Sequence, residues 1–113
     1  MPVSIAPQKL AELRLLGGDA LVSQLLTKFL ESSSSLIAQA EVALQSGDAA
    51  KVDFCVHTLK GSAMSLGLTE MSDLLVALNT RTKARQLEGM AADFTQLAVL
   101  LEAVRQYKAQ NFP

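Results

Sequence analysis

The prolines of this chain stand at positions 2, 7 and 113, so nothing from Gln8 to Phe112 carries one. A proline inside a helix removes a hydrogen bond and clashes with the preceding turn, at a cost of ~3 kcal/mol or more. Its absence over so long a span leaves room for long helices. Leu and Ala, both good helix formers, are the commonest residues. Between the glycines the apolar residues recur at intervals of three and four, with no sustained two-residue alternation. The fold class read from this pattern is all-α.

The glycines punctuate the helices. A short first helix, about Gln8 to Leu16, presents Leu10, Leu13 and Leu16, and Gly17 and Gly18 end it. Asp19 then caps a long second helix to about Gln45. Its apolar positions are Val22, Leu25, Leu26, Phe29, Leu30, Leu36, Ile37, Ala40 and Leu44. The serine run from Ser32 to Ser35 falls inside this span. The rhythm stays in phase across it, with Ser33 at an inner position, which favours one helix over two joined by a serine linker. Gly47 and Asp48 form the next stop and start. Asp48 caps a third helix that ends at Leu66, and Gly67 suits the left-handed residue after it. Thr69 caps a fourth helix with Met71, Leu74, Leu75 and Leu78 on one stripe. The fifth carries Leu87, Met90, Phe94, Leu97, Leu101 and Val104. Short connections make successive helices antiparallel neighbours. The expectation is a single domain over residues 1–113: an antiparallel four-helix bundle over about 19–110, with a short extra N-terminal helix at about 8–16.

Composition narrows the function. Half the residues are apolar and 19% are charged, too hydrophobic for disorder. No uncharged run approaches the ~20 apolar residues that span a bilayer. Ten basic against eleven acidic residues lack the basic excess of a nucleic-acid binder. Met1 to Leu10 lack the basic stretch and apolar core of a secretory signal. The single Cys55 allows no intrachain disulfide, and a reducing, cytoplasmic setting is expected. With one histidine and no tryptophan, any chemistry rests on few unusual residues.

The third helix is the informative one. At ~100° per residue, Val52, Cys55, Leu59, Ala63 and Leu66 fall opposite His57, with Val56 at the edge of that stripe. His57 therefore points outward, with Asp53, Lys60, Gly61 and Met64 within ~60° of it. A solvated surface histidine is the simplest reading, and two residues weigh against it. Gly61 in a helix interior costs roughly 1 kcal/mol against alanine. On an exposed face it serves no packing of this domain, but it would let another molecule approach the imidazole. Met64 is an apolar residue on the same face and suits a contact surface. Asp53 either orients His57 across one turn or pairs with solvent. Arg81, Lys83 and Arg85 read as a solvated helix end favoured by the dipole, with partner docking as the lesser alternative.

Several chemistries fall away. Zinc wants three or four converging ligands, and the chain has one His and one Cys. Cys55 and His57 are two apart on a helix and point to nearly opposite sides, which excludes a catalytic dyad and makes Cys55 a buried, inert thiol. There is no glycine-rich phosphate loop. What remains is an exposed imidazole, a competent nucleophile near pH 7, with an ammonium one turn away that could offset charge on phosphoryl oxygens.

The run His57-Thr58-Leu59-Lys60-Gly61-Ser62-Ala63-Met64-Ser65-Leu66-Gly67 resembles the signature of histidine-containing phosphotransfer (Hpt) domains. That signature is a His, then Leu-Lys-Gly-Ser/Ala, then a Leu-Gly helix end. The resemblance extends over roughly Asp19 to Lys108. It implies that His57 is the phosphoacceptor, Lys60 its electrostatic helper and Gly61 a clearance residue. Receiver docking would fall to Asp53, Gly61 and Met64. It implies a phosphorelay intermediate that takes a phosphoryl group from a receiver-domain aspartyl phosphate and passes it to another receiver. The implied partners are a response-regulator receiver domain and a hybrid sensor histidine kinase. The implied protein is a phosphocarrier without autokinase activity or cofactor of its own, the Mg²⁺ belonging to the receiver. Leu78-Asn79 stands where many relatives carry Leu-Glu. Two rivals are a non-relaying helical adaptor that binds a receiver or kinase, and a dimerising bundle with an incidental histidine. A monomer without nucleic-acid or membrane partners is expected.

Overall fold

The structure, a computed structural model, describes residues 3–113. It has four helices: α1 Pro7–Ser46, α2 Ala49–Ser65, α3 Thr69–Lys83 and α4 Met90–Asn111. They pack in a closed ring, α1 on α2, α2 on α3, α3 on α4 and α4 on α1. The bundle measures 42 × 22 × 20 Å. Its core draws Val22, Leu26 and Phe29 from α1, Val52, Val56 and Leu59 from α2, Met71, Leu75 and Leu78 from α3, and Phe94, Leu97 and Val104 from α4.

The expected break at Gly17-Gly18 is present, as a kink without an intervening loop: within α1 two helical stretches meet at Gly18, which departs from helical geometry at φ 66° and ψ −166°. A residue without Cβ takes that conformation readily. The chain thus changes direction without a loop. Asp19 is therefore no cap: its carboxylate accepts a hydrogen bond from Arg14 Nε at 2.7 Å. Leu16 is 79% exposed, against expectation. A strict spacing of three drifts by ~60° per step, so Leu13 stays inside while Leu16 rotates off the buried face. The serine run lies within α1, and Ser33 is buried at the inner position expected of it.

Gly47 and Gly67 are both left-handed, at φ 75° and 68°. Thr69 does not cap α3; Leu68 holds that place. Leu68 is fully buried and pairs with Ile5 as an isolated antiparallel bridge, while Ala6 N–H donates to Gly67 carbonyl at 2.8 Å. This tie holds Leu68 outside the helix, and Thr69 becomes its first residue. Leu87 likewise precedes α4, half-buried, because the helix starts at Met90 after left-handed Gly89.

Candidate functional site

The site is built on α2. Asp48 starts the helix, its side chain accepting from Lys51 N–H at 3.1 Å. Val52, Cys55, Val56, Leu59 and Ala63 are all buried, so the register of the helix is set by its apolar stripe. That register exposes His57, Gly61 and Met64 and leaves Asp53 and Lys60 half-buried. The residues singled out from the sequence thus share one side of α2.

Space above that side is open. Beyond its chain neighbours and its own helix backbone, a Cβ built on Gly61 meets no atom within 4 Å. The glycine is thus unrelated to packing within the bundle, and its propensity cost of about 1 kcal/mol has no return inside this chain. Phe54 is 64% exposed and Met64 55%, and they stand on either side of His57 along the helix. Phe54 was missed by the sequence reading, although its signal was there: a phenylalanine ~60° round the helix from His57, off the core stripe. Next to Gly61 a groove runs between α1 and α2, lined by Leu25, Lys28, Phe29 and Ser32 on one side and Thr58 on the other.

A polar network lies beneath this surface. Lys60 Nζ donates to Asn79 Oδ1 at 2.8 Å. Asn79 Nδ2 donates to Asp53 Oδ1 and to Thr82 Oγ1, each at 3.1 Å. Thr82 Oγ1 donates to Asp53 Oδ1 at 2.7 Å. Asp53 therefore does neither of the two things expected of it. It turns toward α3, bonded to Asn79 and Thr82, and does not bond to His57. Asn79 and Thr82 as members of a site were also missed. The available signal was their phase: Thr82 follows Leu75 and Leu78 by seven and four, an inner position on α3 for a polar residue.

The three cations at the end of α3 are not simply solvated. Arg81 pairs with Asp93 at 2.7 Å and donates to Glu88 carbonyl, which ties α3 to the start of α4. Arg85 reaches Ala49 carbonyl at 3.3 Å. Lys83 and Arg85 both stay exposed as expected. Cys55 lies opposite His57 with no exposed surface, and burial pushes its thiol pKa up, with the Lys51 charge opposing. A thiol held protonated is a poor nucleophile.

The family model of the Hpt domain matches residues 24–107, a span that contains all of α2 and α3. The chain belongs to the Hpt domain family. As an Hpt domain it is a histidine phosphotransfer intermediate of phosphorelay signalling. Hpt domains are phosphocarriers, and they interact with receiver domains and histidine kinases. The crystal structure of histidine-containing phosphotransfer protein B (HptB) from Pseudomonas aeruginosa PAO1 is similar to this Hpt chain. The two share 24% identity at a TM-score of 0.85, over 94% of this chain and 91% of that one, a likeness that speaks for the fold. No curated protein matches the chain significantly. Among the described residues no helix is long and apolar enough to cross a membrane.

Proposed function

We propose that His57 is the phosphoacceptor of this Hpt chain, receiving the phosphoryl group from an aspartyl phosphate of one receiver domain and yielding it to another. The observation that carries this is exposed His57 beside the open space at Gly61. A neutral ring nitrogen of His57 attacks phosphorus. The bond from phosphorus to the aspartyl oxygen breaks, and the aspartate leaves as a carboxylate. The ring proton on the other nitrogen passes to solvent or stays on the imidazolium. Reversal of the same steps hands the group on, without nucleotide.

Phosphoryl transfer is chiefly positioning and charge stabilisation, which a rigid helix surface can supply. Lys60 is the charge that meets the phosphoryl oxygens: an ammonium has three donors, and the bond to Asn79 uses one. Gly61 is the clearance that lets the receiver's active site close over the imidazole. Phe54 and Met64 form the apolar rim on which the receiver docks, with half-buried Asp53 turned away toward α3. The Mg²⁺ of the reaction belongs to the receiver and offsets phosphate charge there. Residues 1–113 act as one module, a monomer in the cytoplasm, with no autokinase activity and no cofactor of its own.

The test is incubation with a phosphorylated receiver domain, followed by mass measurement before and after acid. Gain of one phosphoryl group, lost in acid as phosphohistidine is, supports the reading. A chain that binds the phosphorylated receiver and gains nothing is an adaptor, and an acid-stable gain places the phosphate on a hydroxyl.

A further inference from the structure

Asn79 and Thr82 are 2% and 0% exposed. Buried polar groups on an inner helical stripe are unfavourable unless they are hydrogen-bonded, and here the bonding is complete. The chemistry of the partners permits only one orientation of the Asn79 amide. A lysine ammonium can only donate and an ionised carboxylate can only accept. Oδ1 must therefore face Lys60, and Nδ2 must face Asp53. The second Nδ2 proton goes to Thr82 Oγ1, whose own proton faces Asp53 Oδ1 at 2.7 Å, with the Asn79 main-chain carbonyl a longer alternative at 3.1 Å. Asp53 and Thr82 thus fix the amide, and the amide fixes the ammonium.

We infer that Asn79 is a positioning residue for the phosphotransfer, holding the Lys60 ammonium in place before a receiver arrives. The inference rests on the reading of Lys60 as the charge that meets the phosphoryl oxygens. Lys60 carries its charge on a flexible four-carbon stem, and an unrestrained ammonium would have to be ordered at each transfer. An acceptor on the neighbouring helix orders it beforehand. Because the acceptor is a neutral amide, the link leaves the lysine its full charge, and two N–H donors stay free. The acidic member of the group, Asp53, lies one residue further along the chain of bonds. Asn79 thus serves Lys60 through geometry.

The experiment measures transfer from a phosphorylated receiver across a range of receiver concentrations. Four forms are compared: the parent, Lys60→Ala, Asn79→Leu (close in shape, without acceptor or donor) and the double variant. Thermal midpoints and helicity are recorded beside the rates. Asn79→Leu is expected to lower the saturated rate about tenfold. The half-saturation concentration should stay within about twofold, since no docking residue is touched. In the Lys60→Ala background the same change should have no further effect, because nothing is left for it to position. A purely structural role would lower the rate by the same factor in both backgrounds, or move only the midpoint, and either result overturns the inference. Should Asn79→Leu not fold, Asn79→Ala takes its place in the cycle with the same expectations. Lys60→Ala transferring at the parental saturated rate would remove the reading of Lys60 and the inference with it. Slow transfer by Lys60→Ala beside parental transfer by Asn79→Leu would remove the inference alone.

Discussion

Thr82 on α3 donates its hydroxyl to Asp53 on α2 across 2.7 Å, and the same hydroxyl accepts from Asn79. Thr82→Val keeps the shape and removes both bonds. It leaves one buried amide proton of Asn79 without a partner and takes one donor from a carboxylate. A hydrogen bond to a charged group contributes about 1.5–3 kcal/mol, so a loss of roughly 2 kcal/mol is expected. Urea unfolding monitored by helical circular dichroism measures it. A loss under about 0.5 kcal/mol would mean that water replaces the hydroxyl and that the network is not held tightly.

Gly61 separates stability from function. Alanine there meets no atom within 4 Å beyond its chain neighbours and its own helix backbone, so helix propensity alone governs the outcome and Gly61→Ala should stabilise the chain by up to ~1 kcal/mol. Gly61→Gln should also fold, and should slow transfer because its side chain occupies the approach to His57. Thermal midpoints and transfer rates from a phosphorylated receiver decide the matter. Transfer by Gly61→Gln at the parental rate would mean that no partner comes close at this position.

Cys55 supplies a pH signature. Its thiol pKa is raised in the fold by burial, so the folded chain keeps the proton at pH values where the unfolded chain has lost it. The raised pKa contributes stability that is fully present below the ordinary thiol value of 9.0 and is lost as pH rises from there through the raised folded value. Stability of the parent should therefore fall more steeply above that pH than stability of Cys55→Ala. Denaturant midpoints at a series of pH values check this. The folded protein should also resist alkylation near neutral pH and react once unfolded. Parallel pH profiles for the two chains would contradict the assignment of Cys55 to the closed interior.

Much of the fold was legible because the chain repeats one instruction: apolar residues at intervals of three and four, without proline. His57, Lys60, Gly61 and Met64 could be placed on one side of a helix because Val52, Cys55, Leu59 and Ala63 set its register. What could not be read was tertiary. Gly17-Gly18 marks a change of direction, but whether the chain loops or only kinks depends on what Gly18 does with one pair of dihedrals. Thr69 has a capping side chain, yet Leu68 takes the cap because Ile5, more than sixty residues earlier, holds it. The partners of Asp53 were hidden for the same reason. Nothing in the local sequence of α2 says that Asn79 and Thr82 cross from α3 to meet it. Phe54 is a different case, since its outward phase could be computed from the same angles that placed His57.

His57→Gln separates the fold from phosphoryl acceptance. The side chain is exposed, so its replacement should leave helicity and the unfolding midpoint within about 0.5 kcal/mol of the parent. The measurement is transfer of the phosphoryl group from a phosphorylated receiver to this variant, read by mass under conditions that load the parent fully. A folded protein that gains no phosphoryl group is the expected outcome. A folded His57→Gln chain that is loaded like the parent would contradict it.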